Sequence, residues 1–166
     1  MITAVAFVPQ APALDPEVGR GLDAELGGLR AACRDAVTDL ARHGRPEVIG
    51  EYPHWLLGSE GEPGEGTTLL VVGDGSARRS EKAPGYLDER AAGFDAAVAD
   101  ALRSGEPARL AALDDALGRE LLAAGVPAWH EAAARLAGTY RAELRYDDAP
   151  FGVGYFVAVW TARAEP

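Results

Sequence analysis

TTLLVVGDGSARRSEKAPGYLDERAAGFDAAVADAL, residues 67–102, carries three signals in succession. Leu69, Leu70, Val71 and Val72 form an apolar run without polar alternation, as expected of a strand covered on both faces in a parallel sheet. A Gly-Asp-Gly-Ser turn and a charged loop follow. The spacing of Phe94, Val98, Ala101 and Leu102 then predicts an amphipathic helix over 87–103. Open α/β sheets collect ligands outside the carboxyl ends of their strands, so Asp74, Ser76, Arg78 and Arg79 are the first candidates for a site.

Upstream, residues 2–8 read as a strand that ends at Pro9 and Pro12, which lack the backbone donor a central ladder needs. Leu22, Leu26, Leu29, Cys33, Val37 and Leu40 recur at spacings of three and four, one buried face of a helix that stops at Gly44. Residues 46–51 hold a short second strand. Strand, helix, strand in that order predicts a right-handed crossover and a parallel pair. Residues 52–66, rich in Gly, Glu and Pro after Trp55, Leu56 and Leu57, read as a surface loop with a mobile Gly-Glu tip.

Downstream, Leu110, Leu113, Leu117 and Leu121 continue helical spacing across a break at Asp114, whose carboxylate suits an N-cap. Gly125 and Pro127 mark the next boundary, and Val126, Trp129, Ala133 and Leu136 make a last helical face. TYRAELRY (139–146) alternates as a half-exposed strand, DDAPFGV (147–153) has the composition of a turn, and GYFVAVWT (154–161) reads as a more buried strand. The expectation is one three-layer α/β domain over 1–166. Its central sheet is mixed and mostly parallel, flanked by helices, with a C-terminal strand pair.

A chain of 166 residues suits one domain with a real core. The formal net charge of -10 opposes binding to nucleic acid or an anionic membrane, so neither is expected as a partner. A single cysteine, Cys33, cannot form an internal disulfide and falls on the apolar helix face, a small core residue in a reducing compartment. The apolar run at the N-terminus is too short for a signal peptide or a membrane span. A cytoplasmic protein is expected.

The loop 73–79 offers a carboxylate, a hydroxyl and two guanidiniums, a set able to orient a polar or anionic ligand through backbone N–H groups and bidentate arginine contacts. It lacks the glycine spacing of a Walker loop or a Rossmann turn. The competing account is a tight turn held by Asp74, with its arginines in salt bridges to Glu81, Asp88 or Glu89. A Ser76, His54, Asp74 triad has no support from spacing. His43 and His130 read as structural, and no metal-ligand spacing joins any two histidines, so no metal is expected. His54, Asp74, Asp147 and Asp148 would gather one only if folding brought them together. Asp147 and Asp148 either cap a turn or, with Tyr155, close a pocket over Asp74. The second account requires the strand 139–146 to run parallel to the strand 68–72.

VVGDGSARRSEKAPGYLDERAAGFDAAVADAL and YDDAPFGVGYFVAVW, with the N-terminal strand and FVPQAPALDPEV, resemble a set of actinobacterial LigB-like proteins. That family is the B-subunit type of class III extradiol ring-cleavage dioxygenases, whose superfamily includes the Memo proteins. The resemblance covers most of residues 1–51 and 67–160 and implies a LigB-like α/β fold, here shortened in the middle. In active members it implies a non-haem Fe(II) held by two histidines and a glutamate, with a further histidine as acid and base. This chain departs at both motifs. Pro9-Gln10-Ala11-Pro12 stands where a Ser-His-x-Pro metal motif is expected, and Ser76 is followed by Ala77 and Arg78 where the proton-shuttling histidine belongs. Gln10 is a poor iron ligand, and arginine cannot exchange a proton near neutral pH. His54 follows the second strand, in the region of the second metal histidine.

Three functions are therefore weighed. One is a domain that keeps the pocket without the iron chemistry and binds or acts on a small polar or aromatic molecule. The second is a metal-dependent dioxygenase using His54, carboxylates and Fe(II). The third is a non-catalytic partner subunit. A homodimer is compatible with each. The pocket candidates are Gln10, His54, Asp74, Ser76, Arg78, Asp147, Asp148 and Tyr155.

Overall fold

Thr68–Val72 forms a strand, β3, with every residue buried. The computed structural model describes residues 1–59, 64 and 66–164. Before β3 come β1 (Ala4–Val8), α1 (Asp23–Ala41), β2 (Glu47–Ile49) and the short α2 (His54–Leu57). After it come α3 (Ala91–Ser104), α4 (Pro107–Ala111), α5 (Asp115–Glu120), α6 (Val126–Arg135), β4 (Tyr140–Asp148) and β5 (Tyr155–Ala162). The strands make one sheet in the order β2-β3-β1-β5-β4. Its core of β2, β3 and β1 is parallel, and β5 runs antiparallel to both β1 and β4.

One adjacency differs from expectation. β1 and β2 are parallel members of the sheet, but β3 lies between them. The reason is burial: β3 has no polar face to offer water, whereas β2 is three residues long with Glu47 and Val48 only half-buried, which suits an edge.

Side chains alternate across the pleat, and the core divides accordingly. Val5, Phe7, Leu69 and Val71 meet α3, α4 and α6 on one face. Ala4, Ala6, Val8, Leu70 and Val72 meet α1 on the other, with α2 contributing half-buried Trp55, Leu56 and Leu57. Trp160 on β5 anchors the first layer. Its ring lies edge-on to Phe7 at 5.1 Å and stacks on Tyr140 at 5.7 Å, while its buried indole N–H donates to the Leu102 carbonyl at 2.7 Å. The exposed end of β2 is tied to α6 by a bidentate Arg135–Glu47 pair at 2.8 and 2.7 Å.

Boundaries follow local chemistry. Asp114 caps α5, its carboxylate accepting the Leu117 N–H at 3.0 Å. α3 starts at Ala91 instead of 87 because Asp88 first accepts the Arg90 N–H at 2.9 Å, a side-chain turn that competes with helix. β4 runs further than its composition predicts: Asp147 and Asp148 pair with Phe156 and Tyr155, past a bulge between Leu144 and Tyr146. These two aspartates belong to a strand, and the turn is confined to residues 149–154. The expected loop over 52–66 contains α2, and its Gly-Glu tip at 60–63 and 65 lies outside the described residues.

Candidate functional site

The chain leaves β1 toward α1 on one face and leaves β3 toward α3 on the other. The crevice between the carboxyl ends of these neighbours is a topological switch point, where open α/β sheets bind their ligands. Gly73 continues β3 by donating to the Val8 carbonyl at 3.0 Å. Asp74, the next residue, bridges the crevice and accepts the Gln10 N–H at 2.7 Å. Burial pushes the Asp74 carboxyl up to about 6; the Gln10 and Ala11 N–H groups oppose that push and the charge of Glu51 adds to it. Tyr155 is buried on the same side, its phenol pushed up to about 12 by burial first and the Asp74 charge second.

In front of Gln10 opens a concavity of about 170 Å3. Residues from three chain exits line it: Gln10 and Pro12 after β1, Glu51 and Tyr52 after β2, and Val72 at the tip of β3, with His54 and Trp55 of α2 forming one wall. The Gln10 carboxamide N–H donates to Glu51 Oε2 at 2.8 Å, so the two polar side chains position each other. His54 lies beside Tyr52, ring centres 4.8 Å apart. The Arg34 guanidinium sits 5.6 Å from the Trp55 ring and holds α2 against α1.

The remaining candidates serve other ends. Ser76 is fully buried, and both its N–H and its hydroxyl donate to the Asp95 carboxylate at 2.8 Å. Arg78 clasps the carbonyls of Tyr86 at 3.4 Å and Glu120 at 2.9 Å. Asp148 accepts the Ala149 N–H at 2.8 Å, and Asp147 is exposed on β4. The loop 73–79 is not an open cradle of N–H groups. Those of Gly75, Ala77 and Arg79 reach the carbonyls of Gly154, Leu121 and Gly152 at 2.7, 3.0 and 2.9 Å. Because β4 and β1 are both antiparallel to β5, β4 points the same way as β3, and the 149–154 turn does reach the carboxyl edge. It arrives as a brace for the loop, hydrogen-bonded along its length.

Two residues that organise this region escape a reading by motif. Asp95 is a buried carboxylate inside α3 that holds Ser76 and, at 3.2 Å, Arg79; burial raises its pKa, against the lowering pull of those contacts. Gly75 and Gly154 close over it, and a Cβ on either would collide with its oxygens. Arg30 is buried in α1 and donates to the carbonyls of Leu14, Ala13 and Gly19 at 3.0, 2.9 and 3.1 Å, which folds the loop behind Pro12 onto the helix. Both had a signal: each is charged yet lies at helical spacing within an apolar stripe, Arg30 between Leu26 and Cys33, Asp95 between Ala91 and Val98.

No family model matches the chain, and no curated protein is detectably similar to it. The residues at the concavity do not fit the Fe(II) site that the LigB-like resemblance implies. Gln10 stands at the first ligand position with its carboxamide engaged by Glu51, and among the described residues no three His, Cys, Asp or Glu side chains converge in a metal-binding group. Among the described residues, no helix is long and apolar enough to cross a membrane.

Proposed function

We propose that the chain is a LigB-like α/β domain that binds, or acts on, a small polar or aromatic molecule at the β1–β3 switch point. The concavity in front of Gln10 carries this reading. Aromatic walls with a few convergent polar groups are the usual make-up of a small-molecule site, and its position is the one the fold favours. At about 170 Å3 it lies below the range of about 300–1,000 Å3 common for drug-sized ligands, which restricts it to a small molecule. Asp74 positions the Gln10 backbone from behind, and Arg30 secures the loop after Pro12. Both are positioning residues. The donor set around Gln10 does not suit ring cleavage through iron.

A thermal-shift screen of phenols, aromatic alcohols and small amines tests the reading, since a ligand that binds only the native state raises Tm by mass action. His54→Ala and Glu51→Gln should each weaken any hit tenfold or more. Undiminished affinity in both variants would remove the concavity from consideration. Stoichiometric iron in the purified protein, lost on His54→Ala, would restore the dioxygenase reading.

A further inference from the structure

The hydrogen-bonding groups of the concavity are unequal in kind, and the inequality names the ligand it suits. The lining contains two carboxylates, Asp15 and Glu51, one imidazole, His54, and no lysine or arginine. Gln10 donates one of its two carboxamide N–H groups to Glu51 Oε2, so its oxygen and a single N–H remain for a ligand. Glu51 keeps its second carboxylate oxygen for the same purpose. Asp15 uses one oxygen on the Glu17 N–H at 2.9 Å and keeps the other. The Tyr52 hydroxyl donates away, to the Ser59 carbonyl at 3.2 Å. Behind this set stands the Asp74 carboxylate. Acceptors therefore outnumber donors, and among the described lining residues the carboxylates face no lysine or arginine.

We propose that the concavity selects a small organic cation, a primary ammonium group on a short apolar or aromatic stem. An ammonium brings three donors and no acceptor, the complement of the oxygens of Glu51, Gln10 and Asp15. Its stem finds apolar surface at Val72, Val18 and Trp55. A carboxylate or phosphate of the same size would face like charges at close range, and a neutral alcohol would satisfy one acceptor and leave the others to water. The net charge of -10 favours encounters with cations in the same sense. This inference rests on the concavity being the binding site.

The test uses three molecules of one shape: benzylamine, benzyl alcohol and benzoate, titrated at pH 7 and low salt, with NMR shifts of the Trp55 indole as readout. Benzylamine should bind at least tenfold more tightly than benzyl alcohol, and benzoate should leave the spectrum unchanged. Glu51→Gln, which keeps a partner for Gln10, should cut benzylamine affinity about tenfold. Asp100→Asn, on the exposed side of α3, should leave it as it was. If benzyl alcohol or benzoate binds as well as benzylamine, the cation preference is overturned while the site stands. If none of the three moves the Trp55 signal, the site and the preference fall together.

Discussion

A carboxylate kept from water retains its proton to unusually high pH, even where backbone N–H groups favour its ionised form. Asp74 is that residue, raised from 3.8 to about 6. Its folded value exceeds its unfolded one, so the native state binds the proton better. Its contribution to stability is greatest below pH 3.8, falls as pH rises to about 6, and is flat above. The linkage is worth at most on the order of 3 kcal/mol. Glu47 and Asp88 are shifted down and slope the other way, so the informative quantity is a difference. Urea denaturation of wild type and Asp74→Asn at pH 4, 5, 6 and 7 should show the variant gaining relative stability as pH rises, and parallel profiles would contradict the burial of this group. A second buried group gives a simpler test. Burial pushes the Cys33 thiol up to about 12, so a thiol reagent at pH 8 should leave the native protein unlabelled and modify one thiol after unfolding. The placement of Cys33 was legible from helical spacing alone. Ser76 was not, because a hydroxyl after a Gly-Asp-Gly turn looks the same in sequence whether it faces a ligand or Asp95.

Elements were legible in proportion to the strength of their periodicity. β3, α1 and the β4–β5 pair follow from runs and alternation of apolar residues. The inserted position of β3 does not, because strand order depends on which strand can bear exposure. Asp147 and Asp148 were misplaced into a turn for a related reason: composition describes the average aspartate, whereas here the ladder to β5 continues past the bulge. Joining these elements is the Asp95 carboxylate, the common acceptor for Ser76 and Arg79. Asp95→Ala should destabilise by about 3 kcal/mol, since it leaves buried donors without partners. Hydrogen exchange should then quicken in both 75–79 and 152–154. Asp95→Asn, with one acceptor retained, should be milder. Faster exchange in the first segment alone would show that the two loops are not held as a unit. In the sheet itself, Trp160→Ala should cost about 3–5 kcal/mol, measured by denaturation, because it removes a packed ring and the donor to Leu102.

For the whole molecule, charge and topology set separate limits. A net charge of -10 on 166 residues opposes compaction through self-repulsion, so Tm should rise between about 10 and 150 mM NaCl as that repulsion is screened. A fall in Tm would mean that favourable ion pairs such as Arg135–Glu47 outweigh the net charge. At this scale a crevice beside β3 follows from the parallel sheet, whereas Gln10 and His54 became candidates through the LigB-like resemblance and not through any periodicity of their own. What neither could supply was the division of labour, with residues after β1 and β2 lining the concavity and residues after β3 bracing it. The strand order carries a further consequence for biogenesis. β1 leaves the ribosome before β3 and long before β5, yet Val5 and Phe7 pair on one side with β3 and on the other with Trp160 and Ala158. Until β5 is made, this hydrophobic ribbon has one bare margin. Nascent chains halted before Tyr155 should accordingly be captured by chaperones or precipitate, and the sheet closes only once β5 has been made.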